Sequence, residues 1–366
     1  MKVRNPNSKD NVIARNQTIS IGLDVHHRNT EVVVLGPDEI LHRQTMPTSR
    51  EHFLALGARF QNCRVRAVYE ASSVGYKPLR WLREAGFAAY MTSPALIPTR
   101  HGEYVKNDRR DAVKLAEYDR AGLLKTVWDL SDQQYDDRQL VRSRKQLVEN
   151  RTRTCQQIKS VLKFHRVDVP EGISTQWSNA FLEWLSAGPA DRPGTDASLN
   201  SKVQMYRAFS EQIRGLTKRI ETLARADRYQ GSVDLLTSIP GVGPLTAMTF
   251  LVELGDVVGR FPTGDQLVSY LRLAPGERSS GNRQRKGSTP PGGNPWVRTA
   301  LVQSSWQLIG RDEQMRAVYD RIKARNSQYG AGIAIVAVAR RLALAMRAML
   351  REGLEWRQEA VEEDSP

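Results

Sequence analysis

Four carboxylates near the start of the sequence have the spacing that a metal site requires. Asp24 lies near the end of an apolar run, TISIGLDV, and Glu70 ends a second run, VRAVYE. Asp108 and Asp111 are three residues apart at the start of a predicted helix, so they share one helix face. Carboxylates are the ligands that Mg²⁺ prefers, and two such ions can stabilise a phosphoryl transfer. Singly, each acid also has a structural explanation, so it is the set that predicts a Mg²⁺ (or Mn²⁺) site.

A second segment, APGERSSGNRQRKGSTPPGGN (274–294), combines hydroxyl and cationic side chains. A serine nucleophile needs an exposed hydroxyl, a route for its proton and cations that stabilise the transition state. Ser280 precedes a glycine in this basic segment, and the adjacent Ser279 is the alternative nucleophile. The residues here predicted to bind nucleic acid are Arg278, Arg283, Arg285 and Lys286. On composition alone, a flexible loop that only binds phosphate explains the segment slightly better.

Two further features predict phosphate contacts. In the turn IPGVGP, Gly241 and Gly243 would let backbone N–H groups approach a phosphate at the start of the next helix. A tight turn between helices that binds no ligand is the alternative. Between Arg138 and Arg166 the chain carries nine Arg or Lys residues against one acid, Glu149. The residues of this basic helix predicted to bind nucleic acid are Arg142, Arg144, Lys145, Arg151 and Arg153.

The overall charge favours a polyanionic partner. With 54 Lys and Arg against 40 Asp and Glu, the net charge is +14, which favours nucleic acid through counterion release. No apolar run approaches the roughly 20 residues that a membrane span needs. The polar start (1–17) has no signal-peptide core, and two cysteines suit a reducing compartment. These observations predict a protein of the bacterial cytoplasm or nucleoid with no membrane partner.

The elements that must position the acids form a mixed α/β pattern. Three strand-like runs in a meander, TISIGLDV, EVVVLG and LHRQT, are followed by a helix after Ser49, whose capping box is incomplete at His52. Strand VRAVYEAS, helix GYKPLRWLREAG, strand AAYMTSP and a helix capped by Asn107 complete the region. We predict an α/β domain over 18–130 after a polar arm (1–17).

The rest of the chain is predicted to be mainly helical. A basic helical segment (131–231) contains a loop or linker at 186–200 and an apolar seam at steps of three and four. The seam residues are Tyr206, Phe209, Ile213, Leu216, Ile220 and Leu223. They predict a coiled coil, either as an antiparallel helical hairpin or as a dimer built from it. A mainly α domain (232–352) follows, with a helix-hairpin-helix-like motif at IPGVGP and the serine loop, and the chain ends in an acidic tail (353–366).

These stretches together resemble the DEDD-type insertion-sequence transposases, a family that includes the Piv-like DNA invertases. The N-terminal resemblance is carried by GLDVHHRNTEVVVL, YEAS and KNDRRDAVKLAE. The C-terminal resemblance is carried by LTSIPGVGPLTAMTFLVELGD, FPTGDQLVSYLRLAPGERSSG and GGNPWVRTALVQSSW. It covers residues 18–125 and 232–312 in the family's order, and the chain departs from the family pattern at GSTPPGGN.

The resemblance implies a fold and a chemistry. The first domain would have a RuvC-like, ribonuclease-H-like fold, with Asp24, Glu70, Asp108 and Asp111 binding Mg²⁺. Ser280 of the second domain would attack DNA and form a covalent intermediate. The implied partners are donor and target DNA and, as in some members, a structured non-coding bridge RNA that guides the enzyme. Because acids and serine are far apart in the sequence, we also predict a dimer or tetramer with possible composite active sites between subunits.

Two other functions fit parts of the sequence. A RuvC-like junction nuclease would cut DNA with a metal-activated water, and Ser280 would then only bind phosphate. A non-catalytic nucleic-acid-binding protein would use the basic helices and the IPGVGP turn. A covalent serine–DNA adduct distinguishes the first alternative from a recombinase, and the effect of Asp108→Asn distinguishes the second.

Overall fold

The computed structural model describes residues 18–37, 39–61, 63–98, 108–274, 277–280, 283–286, 293–325 and 329–356. For Asp108, Arg109 and the strands within 277–286, the description covers the backbone alone. The predicted polar arm, the cap at Asn107 and the end of the acidic tail lie outside these residues. The chain divides into two compact units, one up to Asp129 and one from Leu130 onwards. In the part of the chain that the structure describes, no helix is both long and apolar enough to cross a membrane.

The first unit is a five-stranded sheet with three helices. Its elements are β1 (Thr18–Val25), β2 (Asn29–Leu35), β3 (Ile40–Pro47), α1 (Arg50–Arg59), β4 (Arg64–Glu70), α2 (Lys77–Glu84), β5 (Ala88–Thr92) and α3 (Asp108–Arg120). The strand order is β3-β2-β1-β4-β5. The first three strands are antiparallel, whereas β4 runs parallel to both β1 and β5. This is the ribonuclease-H-like topology, so the predicted fold of the first domain is confirmed.

Alternation along β1 decides which helices cover each face of the sheet. Ile19, Ile21 and Leu23 are buried in a core that α1 and α2 complete with Phe53, Leu56, Leu79 and Leu82. The residues between them face the other way, because successive side chains of a strand point to opposite faces. On that second face, β2 and β3 pack against Ala112 and Ala116 of α3.

The helix α1 begins at the predicted N-cap without the predicted bond. Ser49 has the extended backbone of an N-cap, yet its hydroxyl makes no hydrogen bond to the helix backbone. Its Oγ lies instead within hydrogen-bond distance of the Glu51 and His52 side chains. The Ser49 hydroxyl therefore interacts with the side chains at the second and third helical positions. In a complete capping box it would accept the backbone N–H of the third position instead.

The second unit is almost entirely helical. Its elements are α4 (Asp132–His165), α5 (Asn179–Ser186), α6 (Pro193–Ala224), α7 (Asp227–Thr237), α8 (Pro244–Leu254), α9 (Val257–Arg260), α10 (Gly264–Leu271), β6 (Glu277–Ser280), β7 (Arg283–Lys286), α11 (Pro295–Leu308), α12 (Glu313–Ala324) and α13 (Gly330–Glu352). One core joins Val141 of α4 and Ile220 of α6 to the helices from α7 to α13. The middle segment and the C-terminal region, predicted as two domains, thus share one compact unit.

The helices α4 and α6 form an antiparallel pair within the chain. Arg144 Nε donates to Thr217 Oγ1 (2.7 Å), and further along α4 Arg151 Nη1 donates to Ser210 Oγ (3.5 Å). Of the predicted apolar seam, Ile213 and Ile220 are buried in this pairing. The structure therefore contains the predicted antiparallel hairpin, whereas the other four seam residues, Tyr206, Phe209, Leu216 and Leu223, are only partly buried.

Two predicted loops contain regular structure. The predicted linker 186–200 is wrong beyond residue 192, because α6 begins at Pro193, whose fixed φ suits the first helical position. Asp196 stabilises this start by accepting the backbone N–H groups of Ala190 and Arg192. Within the serine segment, where composition predicts a loop, β6 and β7 form an antiparallel hairpin.

Candidate active site

Asp24 and Glu70 lie side by side at the same edge of the sheet. The parallel strands β1 and β4 are in register up to Leu23 and Tyr69, and Asp24 and Glu70 are the next residues in each strand. Both strands therefore deliver a carboxylate at their carboxyl ends. The alternation of β1 places Asp24 on the face of Ser20 and Gly22, the face that α3 covers.

The helix α3 reaches this face because of a glycine. A Cβ added to Gly22 would lie 2.0 Å from the Ala112 carbonyl oxygen and 2.6 Å from the Ala116 nitrogen. Only a residue without a side chain allows so close a contact between strand and helix. The small residues Ala112 and Ala116 complete the contact, and the preceding residue of the helix is Asp111.

Three of the four predicted acids line one cavity. Asp24, Glu70 and Asp111 border a space of about 200 Å³, whose other lining residues are His26, His27, Ser72, Ser73, Val25, Val74 and Leu115. His26 Nε2 lies 3.2 Å from Asp24 Oδ2. The fourth acid, Asp108, is the first residue of α3, one turn before Asp111. The structure thus brings together the three predicted acids whose side chains are described, and that they bind a metal stays a prediction.

The candidate ligands suit a hard divalent cation, since all of them are carboxylates. Among the side chains that the structure describes, no three His, Cys, Asp or Glu groups stand close enough together to bind an ion. The Asp108 side chain is not among them. The ligand types at this cavity therefore suit a divalent metal ion. The three described carboxylates line the same cavity, but they are not close enough together to form a ready-made binding site.

A buried carboxylate that the sequence prediction missed fixes α3 on the sheet. Asp119 is fully buried and accepts hydrogen bonds from Ser20 Oγ (2.6 Å), Arg66 Nη2 (2.8 Å) and Tyr90 OH (2.6 Å). Burial, and secondly the bond to Asp119, raise the pKa of Tyr90, which keeps this phenol a donor. One side chain of α3 thus ties down three strands, and the available signal was its position two turns after Asp111.

We expect Asp119→Asn to loosen α3 and with it Asp111. Ser20, Arg66 and Tyr90 all donate to the carboxylate of Asp119. The asparagine side chain would place its NH2 group opposite one of these donors, and the charge-assisted hydrogen bond to Arg66 would be lost. The expected cost is about 1.5–3 kcal/mol, the range for a hydrogen bond to a charged group. Hydrogen exchange measured by mass spectrometry should quicken in α3 more than in β2 and β3. Glu117→Gln removes a charge from the same helix outside this cluster, and an equal effect from it would contradict the assignment.

The serine segment lies in the second unit, and its strand register separates the two serines. In the hairpin, Ser280 is paired with Arg283, Ser279 with Gln284, and Arg278 with Arg285. Directly paired positions of antiparallel strands share a face, as do alternate positions along a strand. Position 280 therefore shares its face with positions 278, 283 and 285, all arginine. Position 279 shares its face with Glu277, Gln284 and Lys286.

Most of the basic residues predicted on α4 are engaged inside the protein. Arg142 was predicted to bind nucleic acid, but in the structure its guanidinium donates two hydrogen bonds to the buried carboxylate of Glu253. Arg144 bonds to Thr217, Lys145 lies over the Trp296 ring, and Arg151 lies over the Tyr206 ring. Arg153 is the exposed member of the predicted set. Spacing alone did not separate cations that face water from those that face a neighbouring helix.

The helix α6 carries an exposed basic stripe that the sequence prediction missed. It consists of Arg207, Arg214, Lys218 and Arg225, all exposed and spaced by seven, four and seven residues. This spacing repeats one helix face, on which Glu211 and Glu221 also lie. The period is readable from the sequence, but the apolar seam of the same helix is the more prominent pattern.

The IPGVGP turn joins α7 to α8 as predicted, and its glycines differ in their surroundings. A Cβ at Gly241 (φ +88°) would lie 2.7 Å from Gln307 Cβ, so this glycine lets the turn pack against α11. Gly243 is exposed, is the N-cap of α8 and has open space around it. The backbone at 243 is thus the part of the turn that is accessible to a phosphate.

Comparisons with known proteins agree with both units. The sequence model of a DEDD transposase family named for IS110 matches residues 21–166, and that of the IS116/IS110/IS902 transposase family matches residues 233–320. Together they match more than half of the chain. Structures of Thermus thermophilus RuvC, one of them in complex with a Holliday junction substrate, cover 30% of this chain and 99% of RuvC. Their identity is 16% and their TM-score 0.23, so the fold assignment rests on the strand order and register instead.

Several curated relatives come from mobile elements of bacteria. The transposase-like protein y4qE of Sinorhizobium fredii is 33% identical, with 68% of this chain matched to 59% of that protein. The 43.6 kDa protein of insertion element IS110 from Streptomyces coelicolor is 28% identical over 92% of this chain and 94% of its own length. The transposase of IS1111A from Coxiella burnetii is 24% identical over 83% and 85%. The chain therefore belongs to the IS110-type family of DEDD transposases, enzymes that cut DNA and transfer its strands.

Proposed function

We propose that this chain cuts and rejoins the DNA strands of an insertion sequence through a covalent bond between DNA and Ser280. Asp24, Glu70, Asp108 and Asp111 are the proposed ligands of a divalent metal, Mg²⁺ or Mn²⁺. The observation that supports the acid site best is the convergence of Asp24, Glu70 and Asp111 on one cavity. Ser280 is favoured over Ser279 because the hairpin register groups position 280 with three arginines.

The proposed reaction is a pair of phosphoryl transfers. The Ser280 Oγ loses its proton and forms a bond to the scissile phosphorus, while the bond from phosphorus to a sugar oxygen breaks and that oxygen takes up a proton. In the second step a sugar hydroxyl of another strand loses its proton and bonds to the phosphorus, while the bond from phosphorus to Ser280 Oγ breaks and Oγ takes up a proton. No high-energy cofactor is needed, since one phosphodiester is exchanged for another.

The side chains have separate roles in this proposal. The carboxylates would hold the cation, which supplies Lewis-acid stabilisation of charge on the phosphate when bound. Arg278, Arg283 and Arg285 would donate to phosphate oxygens, as guanidinium groups do in bidentate pairs. The exposed N-terminus of α8 at Gly243 is a further phosphate contact of the kind that helix N-termini make. Arg142 is not assigned a phosphate contact in this proposal, because its guanidinium donates two hydrogen bonds to Glu253.

Guidance by a structured RNA is the part of the proposal that depends on the family resemblance. The net charge of +14, exposed Arg153 and the basic stripe of α6 support binding to a nucleic-acid backbone. Recombination of element ends with and without a transcript of the flanking non-coding DNA tests it. Equal activity without the transcript would remove RNA from the proposal and leave the serine chemistry intact.

The central test is to trap the covalent intermediate. The protein is incubated with the ends of its own element, carrying a nick that lets the released strand diffuse away, and with the flanking transcript and Mg²⁺. We expect an SDS-resistant protein–DNA adduct, with a nucleotide mapped by mass spectrometry to the peptide that contains Ser280. Cleaved DNA without any adduct would identify a metal-dependent nuclease instead, and binding without cleavage would identify a non-catalytic protein.

A further inference from the structure

The two ends of the serine segment meet at its base. The chain leaves α10 through Arg272, which has a left-handed backbone (φ +55°), and returns at Gly293 (φ +76°). A Cβ added to Gly293 would lie 2.6 Å from Arg272 Cγ and 2.7 Å from the Tyr270 carbonyl oxygen. The two ends of the segment are therefore in contact, and whatever holds residues 293 and 294 also holds the end at which the chain returns to the helices.

Asn294 anchors the returning end with both ends of its amide. It is the N-cap of α11, and its Oδ1 accepts the backbone N–H groups of Trp296 (3.0 Å) and Val297 (3.2 Å). Its Nδ2 donates to Glu253 Oε2 at 3.0 Å. Aspartate or serine would cap the helix equally well, so the donor towards Glu253 is the property that distinguishes asparagine here.

Glu253, at the end of α8, is a fully buried carboxylate held from two sides. Arg142 Nε donates to its Oε1 (2.6 Å) and Arg142 Nη2 to its Oε2 (2.7 Å), in addition to the bond from Asn294. The hydrogen bonds to Glu253 are the main cause of the raised pKa of Arg142. Apolar residues of similar volume often stabilise a core as well as a buried ion pair does. The pair therefore points to a requirement for position rather than for stability alone.

The same junction includes a second contact to α4. Trp296, two residues after Asn294, lies under Arg142 (5.3 Å to the ring centroid) and under Lys145 (4.7 Å). Helices α4, α8 and α11 thus meet where the serine segment ends. The helix α8 begins at Gly243, so one helix connects the accessible turn to this junction.

We propose that Arg142, Glu253 and Asn294 form a positioning device that holds the base of the serine segment and thereby sets the placement of Ser280. They are positioning residues, because none of them is assigned a contact with the reacting phosphate. This inference rests on the proposed function for its chemical readout, but it also makes a structural claim that can be tested separately.

The test exchanges the donor and the acceptor across one hydrogen bond. Asn294→Asp keeps an oxygen that can cap α11, but it places a second carboxylate next to that of Glu253. Glu253→Gln places an amide next to the amide of Asn294 and removes the negative charge that pairs with Arg142. In the double variant, the new amide at position 253 donates to the new carboxylate at position 294. The oxygen of that amide accepts from Arg142 Nε, so the bond between positions 253 and 294 is restored in reverse, while Arg142 Nη2 loses its acceptor at position 253.

We expect each single variant to form the Ser280 adduct about 10- to 100-fold more slowly at saturating DNA, the cost of misplacing a reacting group. We expect the double variant to recover most of this loss, with the Kd for DNA unchanged throughout.

Asp312→Ala is the matched control for stability. Asp312 caps α12 through the Met315 N–H (2.9 Å) and is also buried, but it belongs to another helix start. It should lower the Tm without slowing adduct formation by folded protein. Single variants that slow the reaction no more than this control at an equal loss of Tm would overturn the inference, as would a double variant slower than either single one.

Hydrogen exchange separates failure of this inference from failure of the proposed function. Amide protection in the first turn of α11 should fall in both single variants and return in the double variant, whether or not the protein forms an adduct. If wild-type protein forms no adduct, the proposed serine mechanism is wrong. The hydrogen-exchange measurement then tests by itself whether Arg142, Glu253 and Asn294 hold the start of α11 in place. Unchanged protection in both single variants would then overturn it.

Discussion

Replacing Ser280 with alanine should abolish the covalent protein–DNA adduct, whereas Ser279→Ala should leave most of it. Loss of a nucleophile removes the reaction path itself, and we expect a fall of roughly 10⁴-fold or more. Loss of the neighbouring hydroxyl removes one polar group from the opposite face of the hairpin, and we expect a change of less than about tenfold. Adduct formed on a nicked substrate and quantified on denaturing gels measures both.

The strand register is the reason to expect such different results from two adjacent serines. Position 280 shares a face with the arginines at 278, 283 and 285, and position 279 shares a face with Glu277. A phosphate that binds on the arginine-rich face would meet residue 280. DNA binding should be equal in both variants, which controls for loss of the hairpin. An inactive Ser279→Ala beside an active Ser280→Ala would reverse the assignment, and two active variants would exclude both serines.

The acid site was predictable because a local pattern fixes it. The runs that end at Asp24 and Glu70 each predict a buried strand, and parallel pairing brings the ends of such strands to one edge. What could not be predicted is how α3 reaches that edge. Gly22 is one small residue in an apolar run, and only the structure shows that its missing Cβ allows α3 to pack closely on β1. Asp119 has the sequence context of a surface acid, and its three hydrogen-bond partners are seen only in the structure.

The basic residues show the opposite case. Arg142 and Arg153 lie on the same helix and in the same charged run, and composition predicts the same role for both. The structure separates them, because a buried carboxylate 111 positions away takes Arg142 while Arg153 remains exposed. Partner choice across long sequence separations is a tertiary property, and a single sequence gives no signal for it. The hairpin register that favours Ser280 is tertiary in the same sense.

Replacing Asp24 with asparagine should abolish strand cleavage while DNA binding persists. The variant keeps the shape of the side chain and loses the charge that would bind a cation, so we expect cleavage to fall roughly 10³-fold. Affinity for DNA should stay equal or rise, since one negative charge facing a phosphate is removed. Wild-type activity should be lost in EDTA and return with Mg²⁺ or Mn²⁺. Glu31 is paired with Asp24 on the neighbouring strand and does not line the cavity, so Glu31→Gln is the matched control.

The same variant decides whose acids act with whose serine. The acids belong to the first unit and the serine to the second. Two residues of the apolar seam of α6, Ile213 and Ile220, are buried within the chain itself. If a composite site forms between chains, Asp24→Asn and Ser280→Ala proteins, each inactive alone, should recover adduct formation when mixed. Recovery requires one intact acid set to meet one intact serine across chains. If the mixture stays inactive while wild-type protein diluted with either variant retains activity, the acids and the serine of a site belong to the same chain.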